Sequence, residues 1–169
     1  MRVAITPEGR DALEQEFPCE SARGSFEGSY TGSHTVLADG LDASGTIVAN
    51  SFDKTVSFGE SGPLGDVNVT LRPKREDVVV TWSIDGRACP VGVIIPFFVS
   101  LYETTDGTSM GDQISEVQET CSKQEATLES IPPGEYILEL DSRAVTPTIQ
   151  ATRQIRVEPG QSTEVEIEI

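Results

Sequence analysis

The sequence predicts an all-β chain of two tandem β-sandwich modules, the first lacking its N-terminal strand. Three observations carry that prediction. Apolar and polar residues alternate over short stretches, clusters of Gly, Pro, Asp and Ser separate those stretches, and one residue pattern occurs twice. In the repeat, Cys19 falls on Cys121, Phe26 on Leu128, Gly32 on Gly134 and Val36 on Leu138 at a single offset. After a short slip, Lys54, Val56 and Phe58 fall on Arg153, Ile155 and Val157. After another, Val67, Val69 and Leu71 fall on Val165, Ile167 and Ile169. The stretch from Val78 to Cys89 has no counterpart, because the first copy begins near the equivalent of Val99. We expect an incomplete module over residues 1–73 and a complete one over 74–169, joined by the short charged stretch Pro73-Lys74-Arg75-Glu76.

Taken in order, the first copy supplies candidate strands at Val3 to Thr6, Ala12 to Cys19, Gly24 to Glu27, Ser33 to Leu41, Thr46 to Phe58 and Asp66 to Leu71. Arg10 to Glu16 is the one helix candidate, and the repeat argues that it is a strand. In the second copy Val78, Val80, Trp82 and Ile84 share a face, and Asp85-Gly86 turns the chain. Ile95, Phe97, Val99 and Leu101 make the next buried row, where Pro96 needs a bulge or an edge. Gln113 to Cys121 reads as a polar edge strand and Ala126 to Ile131 as the strand after it. Tyr136, Leu138 and Leu140 then point inward, with Glu135, Glu139 and Asp141 outward. Ile149 to Val157 and Val165 to Ile169 complete the module, with Glu164, Glu166 and Glu168 on the outer face. Seven strands in about 92 residues is the size of an immunoglobulin-like sandwich.

The composition is globular and turn-rich, with 37% hydrophobic residues, 6% aromatic, 15 Gly and 10 Pro among 169 residues. No apolar run is long enough to cross a bilayer, so no membrane insertion is expected in this segment. A net charge of −16 repels nucleic acid and anionic membranes across the whole field, and no nucleic-acid partner is expected. Met1 stands directly against the first candidate strand, and no leader peptide is read before it.

Three cysteines bear on the compartment. Their spacing matches no metal site, and the chain has a single histidine. A Cys89–Cys121 disulfide would close a loop of about 30 residues and contribute roughly 3–4 kcal/mol. Cys19 would then lack a partner in the chain, because the missing front of the first copy is where that partner belongs. The alternative is three reduced, buried thiols. The disulfide favours an oxidising compartment.

Catalytic and metal-binding constellations are weak. A triad of His34 with Ser33 or Ser29 and Asp39 can be written down, but no Gly-x-Ser-x-Gly elbow supports it, so His34 reads as a core or turn residue. Asp39-Gly40-Leu41-Asp42-Ala43-Ser44-Gly45 lacks the register and closing Glu of a calcium loop and reads as hairpin chemistry. The Glu164, Glu166 and Glu168 row reads as a solvated face that discourages edge pairing. Trp82 has inward parity, which leaves Tyr30 and Tyr102 as the candidates for an exposed aromatic platform. Asn68-Val69-Thr70 is a glycosylation sequon in form. Lys54 and Arg153 share parity with buried neighbours, which calls for a bulge or strand crossing. Neither a catalytic residue, a metal nor a cofactor is expected.

Ile131-Pro132-Pro133-Gly134-Glu135-Tyr136 resembles the proline-proline-glycine-x-tyrosine stretch of carboxypeptidase regulatory-like (transthyretin-like) domains. Val157-Glu158-Pro159-Gly160-Gln161 with its final alternating strand is similar to their ending. The version with paired cysteines and a Trp-bearing first strand resembles tandem modules of bacterial secreted proteins and surface lipoproteins. The likeness covers the second copy well and the first loosely, where Tyr30-Thr31-Gly32-Ser33-His34 replaces the motif. It implies a non-catalytic extracellular or cell-envelope module: a spacer, an adhesive domain or a fibre part. We expect the first module to be completed by self-association, as in strand complementation, or by a neighbouring domain. Val3 and Ile5 are the candidate acceptor edge, with Cys19 as the intermolecular or free thiol. The alternative is an accessory module binding glycan or protein.

Overall fold

The computed structural model describes residues 1–21, 23–27, 31–59, 66–87, 89, 94–143 and 148–169. Among these, every regular element is a strand apart from two short 3-10 turns at Cys19–Ser21 and Cys121–Lys123. The chain divides into two compact units, Met1–Lys74 and Arg75–Ile169.

The first unit holds β1 (Arg2–Pro7), β2 (Leu13–Glu16), β3 (Gly32–Leu41), β4 (Ile47–Asn50), β5 (Lys54–Phe58) and β6 (Arg72–Pro73). They form one sheet in the order β2-β1-β3-β4-β6, with β5 also paired to β3. Strand β3 alternates strictly, burying His34, Val36, Ala38 and Gly40 on one face. The expected strand from Thr46 to Phe58 breaks at Ser51. The backbone N–H of Ser51 donates to Ala38 O (2.8 Å) and its hydroxyl accepts from the Ala38 N–H (2.8 Å). Both backbone groups of Ala38 are thus satisfied there, and β4 and β5 pair with successive parts of β3. The core is thin: Val3, Ile5, Val36 and Ala38 are buried, and Phe17, Phe26, Val67, Val69 and Leu71 pack against them half-buried.

The second unit holds β7 (Glu76–Ser83), β8 (Pro96–Glu103), β9 (Gln113–Thr120), β10 (Glu125–Ile131), β11 (Gly134–Asp141), β12 (Gln150–Val157) and β13 (Thr163–Glu168). They make two sheets, β10-β7-β13 and β12-β11-β8-β9, whose inner faces share one core in a β-sandwich-like arrangement. Trp82 on β7 meets Phe97 on β8 edge to face, with ring centroids 5.7 Å apart. All pairings are antiparallel except β7 with β13, the first and last strands of the unit. Strand number matches an immunoglobulin-like sandwich, but the division between sheets differs from the constant-type pattern, in which the first two strands share a sheet. Pro96 is accommodated at the start of β8, before the β11 ladder begins at Phe98. Its missing N–H therefore leaves no hydrogen bond to β11 unmade.

Glu139 departs from the expected outward, solvated position. It is 8% exposed, and its carboxylate accepts from Tyr102 Oη (3.2 Å) and from Gln150 Nε2. Strand β11 lies between β8 and β12, so long side chains of both neighbours close over its outer face, and Ile137 is buried there too.

Candidate functional site

The repeat extends to the ladders. In the second unit Leu138 faces Leu101 on one side and Arg153 on the other, and Leu140 faces Val99. In the first unit Val36, the counterpart of Leu138, faces Ile5 and Lys54, and Ala38 faces Val3. Across the next ladder Val99 faces Val117 and Val3 faces Gln15. The order β5-β3-β1-β2 therefore reproduces β12-β11-β8-β9 register for register.

The opposing sheet does not recur in the same way. Its central strand is β7, which pairs antiparallel with β10 and parallel with β13. The counterparts of those flanking strands are the stretches around Phe26 and Val67–Leu71. Neither residues 23–27 nor residues 66–71 form a strand among the described residues. Residues 66–71 keep the alternation, with Val67, Val69 and Leu71 half-buried and Asp66, Asn68 and Thr70 exposed. The expected strands at Gly24–Glu27 and Asp66–Leu71 are thus absent. The physical reason is that no central strand lies beside them among the described residues, since a strand without its neighbour has no ladder.

A basic side chain meets the same backbone position in both units. Arg153 Nη1 donates to the carbonyl oxygen of Glu166, and Lys54 Nζ donates to that of Asn68 (2.7 Å). Glu166 and Asn68 are repeat counterparts. No bulge accompanies either basic residue, because the β11–β12 ladder runs unshifted from Gly134 to Asp141. Strands β5 and β12 lie at the margins of their ladders, so an inward-parity cation reaches the seam and stays exposed.

Cover quality follows. Leu128 is 1% exposed, Val165 6% and Ile167 5%, whereas their counterparts Phe26, Val67 and Val69 are only half-buried. The Phe17 ring lies against Gly24 and meets Phe26 at 5.5 Å, lending partial cover. Val3 and Ile5, the expected acceptor edge, are not an edge. Strand β1 is flanked by β2 and β3, with Val3 facing Gln15 and Ala38, and Ile5 facing Leu13 and Val36. The strand at the margin is β2, four residues long and exposed throughout, with Glu14 and Glu16 upon it.

Cys89 and Cys121 form a disulfide with Cα atoms 5.7 Å apart, and both are buried. The backbone carbonyl of Cys121 also accepts from Trp82 Nε1 (3.1 Å), which ties β7 to the crossing between β9 and β10. Cys19 is exposed and outside any disulfide. The disulfide fits an oxidising environment, and among the described residues no helix is long and apolar enough to cross a membrane.

The remaining candidates separate in space. His34 is buried at 3%, its Nδ1 is 3.1 Å from Gly32 O, and its ring lies 5.1 Å from Phe58. Ser33 and Asp39 sit on the opposite face of β3 by parity, and Asp39 is held by Arg2 at 2.6 Å. Ser29 and Tyr30 lie outside the described residues. Tyr136, the counterpart of His34, donates its hydroxyl to Pro132 O (2.8 Å), and burial raises its pKa. Asp42 accepts from the backbone N–H of Ser44 and of Thr46 through one oxygen, which closes the hairpin. The Ser44 hydroxyl and those amides lower its pKa. Among the described residues no group of three or more His, Cys, Asp or Glu side chains is placed to hold a metal. Trp82 is core, at 2% exposure, and Tyr102 is half-buried under Glu139, so neither supplies an exposed ring. Among the described residues the exposed aromatic is Phe52, 73% exposed at the break between β4 and β5, with the Arg72 guanidinium 4.9 Å above its ring. Its neighbours in sequence read as continuous strand, and no pattern signalled its exposure.

No protein-family model matches the chain, and no curated protein matches it.

Proposed function

We propose that the chain is a non-catalytic structural module of the extracellular space or cell envelope, a fibre component whose first unit is completed by a strand from outside residues 1–169. The observation that carries this reading is the register-for-register repeat of β12-β11-β8-β9 in the first unit, without a strand at the place of β7 among the described residues. A half-covered apolar face beside a stretch with no strand partner among the described residues is the acceptor chemistry of strand complementation. The buried disulfide supports an oxidising location, and the acidic surface supports solubility there. The carboxypeptidase regulatory-like resemblance adds a bacterial secreted or surface setting.

The test is molar mass by multi-angle light scattering across a concentration series, with and without reductant, beside a free-thiol count. Concentration-dependent polymers with no free thiol when oxidised support assembly as the function. A monomer at every concentration with one free thiol removes self-assembly and leaves completion to a strand from another source outside residues 1–169.

A further inference from the structure

Resting on that completion reading, the geometry points to the identity of the incoming strand. We propose that the first unit accepts a strand of another polypeptide with the chemistry of β7, running parallel to residues 66–71 and antiparallel to residues 23–27, and that a cysteine following this strand pairs with Cys19. The chain itself supplies the template. In the second unit Val80 of β7 lies between Ala126 and Val165, and Trp82 lies beside Ile167. Through the repeat those neighbours become Gly24, Val67 and Val69. Val78 lies beside Leu128, whose counterpart is Phe26. The incoming strand therefore needs apolar residues at three alternate positions, with ordinary backbone groups for two ladders.

Size agrees at the middle position. Gly24 replaces Ala126, and the Phe17 ring now occupies the space into which a Cβ at Gly24 would project. The incoming strand would displace that ring and bury the half-exposed Phe26, Val67 and Val69. A second copy is a poor donor of its own β7, since Val78, Val80 and Trp82 are buried and Cys89 is locked to Cys121.

The cysteine sets direction. Cys89 follows β7 and reaches Cys121 at the start of the crossing between β9 and β10. Cys19 stands at the same point after β2 and is exposed. Only a strand running parallel to residues 66–71 delivers its trailing cysteine there. An antiparallel strand would leave it at the far end, about 25 Å away for eight residues. In the covalent step both thiols lose a proton and together give two electrons to a disulfide oxidant, which leaves as two thiols.

The test uses the full chain and a synthetic peptide of residues 76–89, with oxidised glutathione as the disulfide oxidant. Hydrogen exchange at residues 66–71 is expected to slow by about tenfold or more on adding peptide. Peptide mapping should find a disulfide between Cys19 and the peptide cysteine. A peptide with Val78, Val80 and Trp82 changed to Ser should do neither, and C19S should keep the protection but lose the link. Protection without the Cys19 link overturns the direction and cysteine assignment while leaving strand completion intact. No protection from the peptide, in a protein that stays monomeric, overturns both. Protection of residues 66–71 before peptide is added, with a dimer by light scattering, would give the groove to a second copy and overturn the proposal.

Discussion

Removing the Cys89–Cys121 disulfide should weaken the second unit selectively. The two cysteines are 32 residues apart. In the chain-entropy treatment that loop contributes about 3.7 kcal/mol at 25 °C. Each kcal/mol moves the melting point of a domain of this size by about 4–8 °C, so the loss corresponds to about 15–30 °C. The assay is built into the chain. Its single tryptophan, Trp82, is 2% exposed in the core of the second unit, so its fluorescence reports that unit alone. Thermal melts of the oxidised protein and of C89A/C121A, followed by Trp82 emission, should differ in midpoint by that amount. C19S should superimpose on the oxidised protein, since Cys19 is exposed and outside the disulfide. Equal midpoints for the oxidised protein and C89A/C121A would refute the reasoning, because the cross-link would then not constrain the unfolded chain.

Further outcomes follow from the same geometry. Leu128→Ala should cost about 2–5 kcal/mol by urea melts, because Leu128 is fully buried in a sandwich core. Phe26→Ala should cost less in the free protein, where its ring is half-buried, and should weaken binding of the β7 peptide. Arg153→Ala and Lys54→Ala should each shift stability by less than about 1 kcal/mol in urea melts, since both cations are exposed and each donates a hydrogen bond to a backbone carbonyl. Glu116 has a lowered pKa, chiefly from its hydrogen bond with Arg143 and then from the Ser100 hydroxyl. A lowered carboxylate pKa stabilises above the unfolded value of 4.5 and is lost as pH falls through the folded value, so Glu116→Gln should flatten that part of the acid limb in pH-dependent melts.

The sandwich-like arrangement of the second unit is legible where a strand is half-buried, as in β13: Val165 and Ile167 in, Glu164, Glu166 and Glu168 out. Alternation failed where a strand is covered on both faces. Glu139 has outward parity, yet its neighbours on β8 and β12 close over it, and that depends on pairing the sequence does not display. In the first unit the alternation at Val67, Val69 and Leu71 is real, but a ladder needs a neighbour. The side-chain pattern of a strand therefore survives there without its hydrogen bonds. The repeat also points to a missing opening strand, but the gap does not lie beside Val3 and Ile5, which are flanked by β2 and β3. Adjacency in sequence suggested that edge, whereas in the second unit β7 pairs with β10 and β13, not with the β8 that follows it. Ser51 shows a smaller failure, in which one hydroxyl substitutes for a ladder bond and breaks what reads as continuous strand.

The most direct test of the central claim, that the first unit lacks the strand which β7 supplies to the second, is residue-resolved amide exchange on dilute, monomeric protein. The account predicts fast exchange across residues 66–71 and slow exchange for the β13 amides that face β7, although both stretches hold the same place in the repeat. Equal, strong protection of both in the monomer would mean that the first unit closes its own second sheet, and the account would be wrong.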